Sequence, residues 1–126
     1  MKIELDTGQS QFSVRAYSER SVTINDRELR QSFLLMPDCL IVDWPPQRPA
    51  EISKRDIEQI AGIAPEVVIL GTGKTLVYPG EEVLRPLSGS AIGFEVMDTR
   101  AACRCFTILA SEGRFVLAAI LPPDAI

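Results

Sequence analysis

The sequence predicts an α+β domain in three layers: a central mixed β-sheet, helices packed on it, and an N-terminal hairpin or meander as the remaining layer. Three observations carry that prediction. The first third of the chain is a series of short alternating strands separated by turn residues. From residue 52 the apolar period lengthens to that of a helix. Beyond it, helical segments alternate with largely apolar runs at Val67–Leu70, Ala91–Met97 and Phe115–Leu121, as strands covered on both faces require.

Each element follows in order. Phe12–Tyr17 alternates apolar and polar residues, Ser18-Glu19-Arg20 turns the chain, Val22–Ile24 continues the alternation, and Asn25-Asp26 makes a second tight turn. Further strands are predicted near Glu28–Ser32, at Phe33–Met36 and, after the Pro37-Asp38 turn, at Cys39–Asp43. Together they read as an antiparallel meander. A helix then starts at Ser53, which forms a capping box with Asp56 while Ile52 can staple against Ile57. Ile57, Ile60 and Ala61 give its apolar stripe, and Gly62 suits its C-terminal stop. A buried strand is expected at Glu66–Leu70. A short helix follows over Gly80–Arg85, with Pro79 near its start and Pro86 ending it.

After the strand Ala91–Met97, the longest helix runs from about Asp98 to Glu112, capped by Asp98 or Thr99 and stopped by Gly113. Ala102, Cys105, Phe106 and Leu109 form one face of it, and Arg100, Arg104, Thr107 and Ser111 another. Phe115–Leu121 is the last strand, closed off by Pro122-Pro123. Helices between buried strands imply right-handed crossovers and a partly parallel sheet. One domain is expected over residues 1–126, with a core at about 12–121 and tails at 1–11 and 122–126.

Composition narrows the function classes. The chain has 126 residues, 46% hydrophobic and 24% charged, with a net charge of −4. Acids lie among its arginines throughout, which argues against a phosphate-tracking surface and against a nucleic-acid partner. No histidine occurs, which removes Ser-His-Asp and Cys-His mechanisms and most transition-metal sites. Cys39, Cys103 and Cys105 fit neither a disulfide framework nor a zinc knuckle. Cys39 reads as a buried small side chain, and Cys103 and Cys105 as packing residues of the long helix. The N-terminus has neither signal nor transit character, and no apolar run approaches the roughly 20 residues that span a bilayer. A soluble, cytoplasmic protein is expected, with no stable membrane insertion, no metal and no cofactor.

Three places could carry function. Gly71-Thr72-Gly73-Lys74-Thr75, directly after a strand, has the look of a phosphate loop. The early glycine of that motif is Val68 here, and no helical pattern follows Lys74. The glycines more simply serve a positive φ or let another segment come close. Second, Gly71, Thr72, Gly73 and Lys74 should lie beside Asp98 and Thr99 at the C-terminal ends of parallel strands, with Glu95 in the preceding strand. Ligands settle at such a crevice, although Asp98 or Thr99 can equally do no more than cap its helix. Third, Trp44, within Asp43–Pro49, is either a cover for the core edge or a rigid aromatic contact for another protein. Pro46-x-x-Pro49 allows a polyproline ligand as well. No catalytic constellation stands out, and residue chemistry alone defines a fold and no reaction.

Val68–Gly73, followed by Phe94–Ala102 and then Ile108–Arg114, resembles the family of small Mth-type domains. That family includes adipogenesis-associated domain proteins and an assembly factor of the mitochondrial respiratory complex I alpha subcomplex. The resemblance covers Ser13 to Leu121 and implies a three-layer domain with a mixed sheet, helices and a small β layer. It also implies work through protein contacts in assembly of a respiratory or membrane complex, with no catalytic residues to carry over. Thr107 is a departure, since an Asn is common there in the family, and a role needing that amide does not carry over. The alternative is a small-ligand or anion binder, or an enzyme, using the strand-end crevice.

Overall fold

The computed structural model describes residues 2–5 and 11–126. Its elements are β1 (Lys2–Leu5), β2 (Val14–Tyr17), β3 (Val22–Ile24), β4 (Arg27–Leu29), β5 (Phe33–Met36), β6 (Cys39–Val42), α1 (Lys54–Gly62), β7 (Val67–Gly71), α2 (Glu81–Ser88), β8 (Gly93–Met97), α3 (Thr99–Ser111) and β9 (Val116–Ile120). Six strands form one sheet in the order β1-β6-β5-β9-β7-β8, and β2-β3-β4 form a second. β7 lies parallel to both β8 and β9, while β5 runs antiparallel to β9 and to β6. The α+β architecture and the mixed sheet are therefore as predicted. The expected meander divides: β2–β4 leave the main sheet, and β5–β6 join it.

Side-chain alternation explains the layers, because successive residues of a strand face opposite sides. Leu34, Met36, Val68, Leu70, Leu117 and Ala119 face α1 and α2, where Ile57, Ile60, Leu84 and Leu87 meet them. Phe33, Leu35, Ile69, Ala118 and Ile120 face the other way, onto Ala102, Cys103 and Phe106 of α3 and onto Val22 and Ile24 of β3. Every residue of β5 and β9 is buried. Burying each large aliphatic side chain contributes about 1.5–3 kcal/mol, so the two-faced sheet supplies the main favourable term.

The capping box of α1 is present, with the Ser53 hydroxyl accepting from the Asp56 amide at 3.2 Å and the Asp56 carboxylate accepting from the Ser53 amide at 2.9 Å. Its end differs from expectation. Gly62 remains helical, and Ala64 takes the left-handed conformation, with φ 57°. Pro65 follows Ala64 and disfavours the right-handed helical region there. Pro86 does not end α2 but lies inside it. The helix loses one amide donor at that point, yet continues so that Leu87 can be buried beside Leu84.

The expected tails need correction as well. Lys2–Leu5 pair with β6 as an edge strand, because the β6 edge offers unpaired backbone groups. At the other end Ala125 is buried and its carbonyl accepts from the Lys74 amide at 2.9 Å. Residues 6–10 of the expected N-terminal tail lie outside the described residues. Cys39, at the turn into β6, is half-buried rather than buried.

Candidate functional site

The register places Val42, Phe33, Ile120, Gly71 and Met97 in one row across β6, β5, β9, β7 and β8. Four of these strands, β6 to β9, end at this same rim. The glycine turn and the Asp98-Thr99 step are accordingly side by side. The Thr72 amide donates to the Met97 carbonyl, and the Thr99 amide to the Gly73 carbonyl, both at 2.9 Å.

Behind the glycine turn the rim is packed by the protein itself. A Cβ on Gly71 would lie 2.9 Å from the Ala102 Cβ and 3.2 Å from the Thr99 Cα, so only glycine lets α3 come this close. Gly73 has φ 100°, and a Cβ there would collide with the Ala125 carbonyl oxygen. Thr72 and Thr99 are both wholly buried. The Thr99 hydroxyl donates to the Leu121 carbonyl at 2.7 Å and accepts from the Gly73 amide at 2.9 Å. The Thr72 hydroxyl donates to the Thr75 carbonyl at 2.7 Å and accepts from the Val77 amide at 3.0 Å.

This seam answers the phosphate-loop question in physical terms. A phosphate loop must aim free amides at the anion, whereas the amides of Gly73 and Lys74 are committed to Thr99 and Ala125. No helix follows Lys74 either, since α2 begins only at Glu81.

The other candidate residues separate. Asp98 is the cap of α3, its carboxylate accepting from the Ala101 amide at 2.9 Å. Lys74 is exposed and, with Gly73, lines an open depression of about 510 Å³ on the outer side of the rim, which Glu19, Arg100 and Asp124 also border. Glu95 is exposed on β8 and pairs in register with Ile69, two rows back from the rim. It stands near Cys105, whose thiol pKa is raised by burial first and by Glu95 second. Cys103 is buried, and desolvation pushes its thiol pKa up to about 12, with Asp98 adding to the rise and Arg104 opposing it. It is a packing residue of α3.

Trp44 corrects the expectation of an aromatic partner contact. Asp43 takes φ 63° and turns the chain inward, leaving Trp44 fully buried in the cluster with Leu34, Met36 and Ile52. Gln47 fixes the turn, its amide group donating to the Trp44 carbonyl at 2.9 Å and accepting from the Ser32 amide at 3.0 Å. Among the described residues the indole Nε1 has no hydrogen-bond partner. Pro46 and Pro49 are buried too, which removes the polyproline-ligand reading. Exposed apolar residues at this rim include the consecutive triplet Leu76, Val77 and Tyr78, at 58%, 39% and 55% exposure. Sequence reasoning passed over them. The available signal was an apolar triplet between a glycine turn and Pro79, with no helical period to bury it.

The family described as a protein of unknown function (DUF498/DUF598) matches residues 14–121, and the chain belongs to it. A Mth938-like domain from Bordetella pertussis, solved in solution, is 31% identical, with a TM-score of 0.79 over 99% of this chain and 94% of its own. A Bordetella parapertussis protein of known crystal structure is 38% identical, with a TM-score of 0.84 over 91% and 98% of the two chains. Among curated proteins, the chain is 33% identical over 114 residues to NADH dehydrogenase [ubiquinone] 1 alpha subcomplex assembly factor 3 of Danio rerio, covering 89% of this chain and 65% of that protein. The chain thus spans a little under two thirds of that relative's length. Among the described residues no helix is long and apolar enough to cross a membrane.

Proposed function

We propose that this chain is a non-catalytic contact domain that acts in assembly of a respiratory membrane complex, and that the turn Leu76–Tyr78 is part of its contact surface. The observation that carries the reading is the 33% identity to an assembly factor of the NADH dehydrogenase alpha subcomplex. The geometry supports it in two ways. Part of the space at the strand ends, where an α/β sheet can hold a ligand, is taken up by Thr72, Thr99 and the segment Leu121–Ala125. The adjoining turn holds three consecutive apolar side chains in solvent while Thr72 pins its backbone. Pre-ordered apolar side chains of this kind cost little further entropy on binding.

The test is genetic and biochemical. Deleting the gene in its own host should lower the amount of assembled NADH dehydrogenase on a native gel. The wild-type chain should restore it, and a Leu76→Ser/Tyr78→Ser chain expressed at equal level should not. Unchanged assembly in the deletion strain overturns the proposal.

A further inference from the structure

Charge is distributed unevenly over the three helices. α1 has Asp56 in its first turn beside Lys54 and Arg55, and α2 has Glu81 and Glu82, where the helix dipole favours negative charge. α3 has no acid in its first turn beyond the Asp98 cap. It places Arg100 there instead, and Arg104 four residues on, so two like charges face the same side of the helix at its positive end.

Both guanidinium groups converge on Tyr17 of β2. Arg100 lies 5.7 Å from the ring centroid, and Arg104 Nη1 donates to the phenolic oxygen at 3.2 Å. Arg15 joins Tyr17 and Arg104 around a shallow hollow of about 110 Å³. Lys74 continues the positive strip across the depression shared with Arg100, which Glu19 and Asp124 border. Among the described residues, Arg27, Arg30, Arg85 and Arg114 each pair with a glutamate; Arg15, Lys74, Arg100 and Arg104 form no ion pair, as is also true of Lys2, Arg20, Arg48, Lys54 and Arg55, but only these four lie together around Tyr17 and the adjoining depression.

From this juxtaposition we infer that the α3–β2 face docks an acidic segment of a partner protein, with Arg100 and Arg104 as two carboxylate-binding forks held in place by Tyr17. The inference rests on the contact reading above and names the chemistry of one partner surface. A guanidinium matches a carboxylate with two parallel hydrogen bonds. The forks stand about one helical turn apart, roughly 5–6 Å, which suits carboxylates on neighbouring acidic residues. Tyr17 restrains both side chains before binding, so less freedom is lost on association. An incoming acid also relieves the repulsion between the arginines and the mismatch with the helix dipole. A nucleic acid is the poorer occupant, since the chain carries a net charge of −4 and long phosphate tracks need an extended basic face.

The experiment titrates the full chain with a fluorescein-labelled peptide of alternating Glu and Asp, reading anisotropy at low and at high salt. Wild-type protein should bind at low salt and weaken as salt rises. Arg100→Glu/Arg104→Glu should bind at least about tenfold more weakly, with a melting temperature at or above that of wild type. Lys54→Glu/Arg55→Glu, an equal charge change on exposed positions of α1, should bind as wild type does. Should the double reversal unfold the protein, Arg100→Gln/Arg104→Gln gives the same comparison. Absence of peptide binding at low salt, equal affinity of wild type and the arginine variants, or tighter binding of a single-stranded oligonucleotide overturns the inference. Leu76→Ser/Tyr78→Ser separates the two proposals. If it abolishes respiratory-complex assembly while the arginine variants retain it, the contact domain stands and the acidic-segment site falls.

Discussion

Two turns leave the same rim of the main sheet, Asp43–Pro49 after β6 and Thr72–Gly80 after β7, and each combines an aromatic residue with prolines or glycines. One folds its tryptophan wholly into the core, and the other holds its tyrosine in solvent. Side-chain type does not explain the difference, because tryptophan and tyrosine both suit an interface. The backbone does. Asp43 at positive φ and the Gln47 amide group direct Trp44 under the sheet end. Thr72 ties its turn back on itself through Thr75 and Val77, leaving Leu76 and Tyr78 nowhere to go but outward. Which aromatic is displayed is thus decided by one or two polar anchors in each turn.

The largest effect expected from this contrast is on stability. Trp44→Ala should cost about 3–5 kcal/mol in urea unfolding, while Tyr78→Ala should stay within about 0.5 kcal/mol of wild type. Similar losses at the two positions would break the comparison. Next comes the seam between the turns and the C-terminal segment. Gly73→Ala should cost about 1–3 kcal/mol through overlap with Ala125, in addition to the strain of a positive φ. Gly80→Ala, at φ 106° with nothing within 4 Å of the added carbon, should show the strain alone. The difference between the two melting temperatures then measures how tightly the seam is packed.

A smaller, pH-dependent effect distinguishes the buried face of α3 from its exposed one. The Cys103 thiol has a folded pKa of about 12, above its ordinary value of 9.0, so the unfolded chain releases its proton first as pH rises. Its contribution is complete below pH 9 and is lost as pH climbs toward 12, by about 1.4 kcal/mol per unit within that window. Cys103→Ala should remove this component of the alkaline slope in denaturation curves measured at successive pH values. An unchanged slope would show that the thiol is open to solvent. Smallest of all is the stability change from Leu76→Ser, within about 0.5 kcal/mol. Measured beside its effect on assembly, it tells whether the displayed turn serves contact and not folding.

Much of the architecture is legible along the chain. The Ser53–Asp56 box, the Asp98 cap and the Val67–Gly71 strand depend on local hydrogen bonding and on runs of apolar residues, and both are visible at short range. The two glycines were readable too, as positions for a positive φ or a close approach; Gly71 serves the second and Gly73 both. What lay out of reach needed partners distant in sequence. Nothing near Pro86 indicates that Leu87 must continue a helix to reach the core, and nothing near Lys2 indicates that β6 leaves an edge open. The candidate site was legible as a place but not in its state. The strand ends converge as read, yet the Thr99 hydroxyl and Leu121, 22 residues apart, are joined by a hydrogen bond behind the glycine turn.

The sequence by itself determined the α+β class, the partly parallel sheet and the position of the rim, because apolar period and turn chemistry act over a few residues. Tertiary structure alone decided that Trp44 turns inward, that Leu76–Tyr78 turn outward, that the C-terminal residues pack against the glycine turn, and that Arg100 and Arg104 meet Tyr17. The physical reason is that burial and pairing belong to contacts between segments, and these exist only once the layers have closed on one another.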